Sequence, residues 1–416
     1  MRSRLAPGPG ADVPAPGPGA VVPAPGPAAI PPLPDPSARP WTEIAAGIEA
    51  IEAADLDPAL VAAFEAARRP APGGIHFYTP SFKTYATAEL EGCGKSAWPA
   101  VSITGGDCAL QCDHCRAKIL EPMIPARTPE ALWQVANEQI ARGALGMLLS
   151  GGSNRRDEVE YGPYYPTIRR IRDTFPQFRI ALHTALVTPA VAREMADAGI
   201  DAAMMDVIGA QDTISQVYHL RRRVDDFEAS LAALVATPMK VVPHIVVGLH
   251  YGRLLGEWQA LEIVRRHRPA ALVLVVVMPF YAPSGRSFET PAPRDVGRFF
   301  LDARQALPDL PLLLGCARPP GRVKAEIDSY AAMAGLDGIA HPSDGVVELA
   351  LRIGREVRVS PVCCSIALGD EVLALDEANA AIRIDPQAVI ANERALSARR
   401  PGQFRGIPVV AAGLPA

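Results

Sequence analysis

Three cysteines fall on one short stretch, Cys108-Ala-Leu-Gln-Cys112-Asp-His-Cys115. Thiolates this close can hold three irons of a [4Fe–4S] cluster, and a missing fourth protein ligand leaves one iron open to a substrate or cofactor. The same stretch offers His114 and Asp113, either of which would complete a tetrahedral zinc knuckle. Four more cysteines stand elsewhere: Cys93 in Gly92-Cys93-Gly94-Lys95, then Cys316, and the adjacent Cys363 and Cys364. Seven is an odd count, and grouped thiols in a reducing compartment point to metal or redox chemistry before disulfides. A second set of polar residues ends apolar runs, Ser150-Gly151-Gly152-Ser153, His183-Thr184 and Asp206, while His244 follows Pro243 within the fifth run. Paired glycines let a ligand approach the backbone closely, although Gly-Gly is also an ordinary turn. A strand-end His or Asp can bind a ligand or simply satisfy nearby backbone groups.

The elements that must position these groups are legible as a regular beat. Short apolar runs at 100–104, 146–150, 179–184, 202–207, 241–248, 271–280, 310–315 and 338–342 read as strands. Amphipathic segments at 129–142, 189–198, 225–236, 256–267, 295–307 and 343–354 read as helices between them. Strands alternating with helices at this spacing form parallel sheets. Eight such units over roughly 250 residues match an α/β fold of the (β/α)8 TIM type, with an open doubly wound sheet as the alternative. The barrel is expected at 95–355, with the cysteine loop directly after the first strand and Cys316 at the end of the seventh. Ahead of it, Ile44, Ile48, Ile51, Leu56, Leu60 and Phe64 recur at helical spacing and predict a lid or packing segment at 41–94. Residues 1–40 carry 13 of the 42 prolines and no apolar period, which predicts a disordered arm. Residues 356–416, with Cys363-Cys364-Ser365 and a helix expected at 371–382, read as a small C-terminal appendage.

Composition sets the outer bounds. The chain has 416 residues, 49% hydrophobic and 21% charged, with 41 basic against 45 acidic side chains and a net charge of −4. A soluble globular protein follows, and nucleic-acid binding through bulk charge does not. Arg221-Arg222-Arg223 is a local basic run, read as a solvated face or as a contact for an acidic carrier surface. The longest apolar stretch, 270–280, is far short of the roughly 20 residues of a membrane span. Met1-Arg2-Ser3-Arg4 runs into proline and glycine without the apolar core of a secretory signal, so a cytoplasmic location is expected.

The C-x3-C-x2-C spacing resembles the signature of the radical SAM superfamily. The resemblance implies a [4Fe–4S] cluster on Cys108, Cys112 and Cys115. It also implies S-adenosyl-L-methionine chelated to the free iron, with reductive cleavage to a 5′-deoxyadenosyl radical. His114 stands where the family usually has an aromatic residue near the adenine. Ser150-Gly151-Gly152-Ser153 is similar to the family's Gly-Gly-Glu motif, with Ser153 in place of glutamate, so Ser150 or Ser153 would accept from the methionine ammonium. His183 and Asp206 would hold ribose hydroxyls or substrate, His244 would face the interior, and Gly248 would lie near the nucleoside.

The wider pattern covers about residues 75–365: Phe77-Tyr78-Thr79-Pro80-Ser81-Phe82, Ser-Gly-Gly, Pro243-His244 with Val247-Gly248-Leu249-His250, and Gly315-Cys316-Ala317-Arg318-Pro319. It resembles the biotin-synthase-like subunits of a two-protein lipoyl synthase. That resemblance implies a transferase that inserts sulfur into octanoyl chains on a carrier protein, working with a sister radical SAM subunit and an electron donor. Cys93, Cys316 and Cys363 or Cys364 would hold a second, sulfur-donating Fe–S cluster, with Ser365 or Arg318 as an additional ligand. The alternatives are a single-cluster radical SAM enzyme acting on a small metabolite, and a non-catalytic Fe–S partner subunit.

Overall fold

The structure, a computed structural model, describes residues 39–366 except 53, 69–73, 81–96 and 279–287. Cys93, nearly all of the proline-rich arm and the helix expected at 371–382 lie outside the described residues.

Twelve strands are present among the described residues: β1 (Ile75–Tyr78), β2 (Ala100–Ser102), β3 (Ile124–Pro125), β4 (Gly146–Ser150), β5 (Arg179–His183), β6 (Ala202–Met204), β7 (Lys240–Val241), β8 (His244–Val247), β9 (Leu272–Val276), β10 (Leu312–Leu314), β11 (Gly338–Ala340) and β12 (Val357–Ser360). Every expected run is represented, in order. All pairings between these strands are parallel, giving two six-stranded sheets, β3-β2-β4-β5-β6-β7 and β12-β1-β11-β10-β9-β8. The division between them is local. β7 and β8 are separated by Val242-Pro243, and a proline, having no N–H, interrupts the ladder there. Asp206, just beyond β6, bridges in parallel to His244, so the two sheets run on into one another.

The side chains establish the barrel. Tyr78, Trp98, Ala181, Ala202, Met204, Val273, Leu313 and Ala340, from strands and their approaches around both sheets, bury one another in a single inner cluster. Alternate residues of the same strands face outward into a larger core beneath the helices. Buried on both faces, the strands read as continuous apolar runs. Gly146 is required by this packing, because a Cβ there would lie 2.3 Å from the Trp98 ring. The fold is thus the α/β, TIM-type barrel that the periodicity implied. β1 and β12, in segments read as lid and appendage, are additional parallel strands, β1 beside β11 and β12 beside β1.

The helices are α1 (Trp41–Ala46), α2 (Glu49–Glu52), α3 (Pro58–Ala67), α4 (Pro129–Ala141), α5 (Tyr165–Thr174), α6 (Pro189–Asp197), α7 (Gln211–Gln216), α8 (Val224–Val235), α9 (Glu257–His267), α10 (Pro293–Ala306), α11 (Arg322–Met333) and α12 (Val346–Arg352). Those after β3 and β5 start on matching signals: Thr128 and Thr188 accept from the N–H three residues on, each followed by proline at the first turn. Helices α1 to α3 pack on α10, α11 and α12, and the Asp57 N–H donates to the Tyr330 hydroxyl at 2.8 Å. Among the described residues no helix is long and apolar enough to cross a membrane.

Candidate functional site

A cavity of about 280 Å³ opens at the C-terminal ends of the strands, where barrel sites are built from the loops that follow. The cysteine loop, between β2 and β3, forms one wall. It is laid across the end of β4: Ala109 N–H donates to Ser153 O at 2.9 Å, and Gly152 N–H donates to the Thr104 hydroxyl at 2.7 Å. The contact is so close that a Cβ on Gly152 would sit 2.0 Å from Asp107 O and 2.6 Å from Cys108 Cα. The glycine pair therefore brings the cysteine loop against the strand end. The loop's far side is held by Asp113, which is buried; its N–H donates to Val217 O, and its carboxylate accepts from the Tyr251 hydroxyl at 3.0 Å and meets His219 Nε2 at 3.0 Å. Gln111, Arg116 and Ala117 have positive φ, a conformation that persists where surrounding bonds impose it.

All three thiols of the loop line the cavity. Their sulfurs do not converge within 4.8 Å of one another, nor with His114 or Asp113 as a set of three. Sulfurs on one tetrahedral zinc, at about 2.3 Å from the metal, would be under about 4 Å apart. Asp113 is moreover engaged with Tyr251 and His219, so it does not serve as the fourth ligand of a zinc knuckle. A larger multinuclear group does fit, since three thiols, a glycine cradle and an open cavity face one another.

Charge favours a cationic occupant. Among the described residues neither lysine nor arginine lines the cavity, whereas Cys115, Asp157 and Asp206 do. Burial, with the negative groups at Cys115, Asp157 and Cys108, pushes the Cys112 thiol far up. Burial raises Asp157 to about 6, Asp206 adding to the rise while a hydrogen bond from Ser153 opposes it. Burial pulls His114 down, but the Cys115 thiolate and the carboxylates of Asp206 and Asp157 leave it above its ordinary value.

The expected residues distribute as follows. Ser150, Gly151, Gly152, Ser153, His114, His183, Asp206 and His244 all line the cavity. His114 lies 5.0 Å from the Tyr218 ring, centroid to centroid. Burial, reinforced by His183, lowers His244 to about 3. Gly248 does not line the cavity: at φ +79° it turns the chain away after β8, and its N–H donates to Glu257 Oε1 at 2.8 Å. Cys316, Cys363 and Cys364 line the same cavity as the cysteine loop, with the Ser365 hydroxyl donating to Cys363 Sγ at 3.1 Å. Arg318 is not available as a ligand. Its guanidinium is fully buried, pairs with Asp328 and donates to the carbonyls of Gly315, Ala340 and His341. Two titratable lining residues escaped sequence reasoning, Asp157 and Tyr218. An acidic residue soon after Ser-Gly-Gly was the available signal for the first; Tyr218 offered none.

Residues 102–253 match the family model described as the radical SAM superfamily, so the chain carries a radical SAM superfamily domain from β2 through the turn after β8. That family implies a [4Fe–4S] cluster and S-adenosyl-L-methionine, which the cysteine loop and its cavity fit. No curated protein matches the sequence. Among solved structures, the chain is similar to the [FeFe]-hydrogenase maturase HydG from Carboxydothermus hydrogenoformans, at 13% identity over 87% of this chain and 90% of that one, TM-score 0.49. It is also similar to the methylornithine synthase PylB, at 11% identity over 65% of this chain and 86% of that one, TM-score 0.43.

Proposed function

We propose that the protein is a radical SAM enzyme that inserts sulfur into octanoyl chains borne by a carrier protein, in lipoate biosynthesis. The observation that carries this reading is the meeting of Cys108, Cys112 and Cys115 with Cys316, Cys363 and Cys364 around one cavity. The first set holds the cluster that binds S-adenosyl-L-methionine; the second, with Cys93, holds a sulfur-donating cluster. The carbons to be thiolated are unactivated, so no side-chain base can remove their protons. A reduced [4Fe–4S] cluster with S-adenosyl-L-methionine supplies a 5′-deoxyadenosyl radical capable of abstracting hydrogen from them.

The chain's own residues do the rest. The backbone at Ser150–Ser153 and the Asp157 carboxylate accept from the methionine ammonium. Val246, Val275, Val276 and Met278 give the cavity apolar walls that exclude water from a reactive intermediate. The octanoylated carrier, a sister radical SAM subunit and an electron donor complete the proposal. Of the basic run, Arg222 is tied to Glu158 and Arg223 to Asp225, which leaves Arg221 for an acidic carrier surface.

A single-cluster enzyme acting on a small metabolite is the competing reading. It is favoured by Cys364, only 6% exposed and packed with Val362 and Ile366 in the inner core, where free cysteine often serves as a small apolar residue. Iron and sulfide analysis after anaerobic reconstitution separates the two. Roughly eight irons per chain, falling to roughly four when Cys108, Cys112 and Cys115 are all alanine, is the expected result. Roughly four falling to none would overturn the second cluster. Cys316→Ala should retain cleavage of S-adenosyl-L-methionine and lose thiolated octanoyl-peptide; undiminished thiolation would reject the sulfur-donor role.

A further inference from the structure

We propose that His183, Asp206 and His244 form a mononuclear site for a divalent first-row transition metal, distinct from the cysteine loop and independent of the sulfur-insertion reading. One donor atom from each lies within 4.8 Å of the other two, and His183 Nε2 is 3.8 Å from Asp206 Oδ1. Ligand bonds of about 2.0–2.2 Å place donors about 3 to 3.5 Å apart, so small side-chain rotations close the site on an ion. Two imidazoles and one carboxylate on one side of a metal leave its remaining positions open, here towards the cavity. Nitrogen and oxygen donors of this kind suit Zn²⁺, Fe²⁺ or Co²⁺.

The scaffold fixes all three ligands. His183 ends β5, Asp206 lies just beyond β6 in a bridge to His244, and His244 starts β8. The backbones are tied together: Thr184 N–H donates to Met204 O at 2.8 Å, His244 N–H to Met205 O at 2.7 Å, and Val207 N–H to His244 O at 2.8 Å. Ligands carried on strands hold their geometry better than ligands on loops.

The outer partners are those a metal site requires. The Tyr218 hydroxyl donates to Asp206 Oδ2 at 3.2 Å, leaving Oδ1 towards His183. His244 Nδ1 is buried without a hydrogen-bond partner among the described residues. Buried polar atoms are almost always satisfied, and an orphaned imidazole nitrogen lining a cavity beside a carboxylate is a vacancy that an ion fills. Among the described residues no lysine or arginine lines the cavity beside Asp206. The bound ion would offer its open positions to an oxygen or sulfur of the molecule that enters, fixing it beside the cysteine loop.

The test is Co²⁺ binding to the full-length, cluster-reconstituted protein, followed by metal analysis and electron paramagnetic resonance of the high-spin ion. One Co²⁺ per chain without thiolate ligation is expected. His183→Gln/His244→Gln should abolish it, and Asp206→Asn, which keeps the shape and the Tyr218 contact, should weaken it about 100-fold, with iron content unchanged in both. The Cys108/Cys112/Cys115→Ala variant should retain it. No stoichiometric Co²⁺, binding unchanged in Asp206→Asn, or binding lost with the three cysteines would each overturn the site. Circular dichroism and iron content identify any variant that fails to fold, and Asp206→Asn then decides.

Discussion

The two cysteine groups face one cavity but are held in opposite ways. Cys108, Cys112 and Cys115 lie on a loop fixed by its backbone, against Gly152 on one side and through Asp113 on the other. Cys316, Cys363 and Cys364 stand beside the apolar inner core, next to a charged network buried under β10 and β11. There Arg318 and Asp328 are both 0% exposed, and Lys324 bonds to Asp328, to His341 O and to the Ser343 hydroxyl. A backbone-held loop can adapt as a cofactor is assembled on it. A wall fixed by side-chain charges is rigid, and its geometry depends on the charges remaining paired.

The largest difference should come from removing the thiols. Replacing Cys108, Cys112 and Cys115 together by alanine should abolish reductive cleavage of S-adenosyl-L-methionine, measured as 5′-deoxyadenosine formed under strong reduction, with the fold retained by circular dichroism. Cys363→Ala/Cys364→Ala should leave that cleavage within a few-fold of wild type. Equal loss in both variants would erase the contrast between the two groups. Next in size is the buried network. Asp328→Asn removes the carboxylate that Arg318 and Lys324 share, and breaking a buried pair in this way costs about 3–5 kcal/mol. Denaturant unfolding measures it, and a loss under about 1 kcal/mol would show that the network does not stabilise this wall.

The eight strands were readable because buried parallel strands are continuous apolar runs, and the cysteine loop because its spacing is short and local. β1 was not readable, since Ile75-His76-Phe77-Tyr78 becomes a strand only through pairing with β11 and β12, more than 250 residues away. Helix α11 was missed for the opposite reason. It is buried on nearly every face, Lys324, Glu326 and Asp328 included, so it shows no apolar stripe, and its charges look like a solvated surface. The site was legible wherever a strand end carried the residue, as at Ser150 and His183. Asp157 lies in an irregular loop and reaches the cavity through tertiary packing alone.

Gly152→Ala sharpens the comparison at the loop. The added Cβ collides with backbone at Asp107 and Cys108, which cannot rotate aside, so the loop must lift from β4. Overpacking of this kind costs about 1–3 kcal/mol, and iron loading should fall more than thermal stability does. Full iron content in this variant would mean that the close approach is not needed to assemble the cluster.

The smallest effect belongs to the wall beside β1. His76 stacks on Tyr78 with ring centroids 4.4 Å apart, and its Nε2 is buried without a partner among the described residues. Burial, helped by the nearby Arg358, lowers its pKa from 6.5 to about 4. The unfolded chain therefore takes up a proton at higher pH than the folded one does. Stability contributed by the neutral ring is complete above about pH 6.5 and is lost as pH falls from there towards 4, with a limiting slope of about 1.4 kcal/mol per pH unit. Surface exposure and relaxation reduce this to a fraction of that slope. Unfolding of the metal-free protein across pH 4 to 7 should be shallower in His76→Asn than in wild type, at any stability the variant has at neutral pH. Parallel profiles would place the acid sensitivity of this wall in another group.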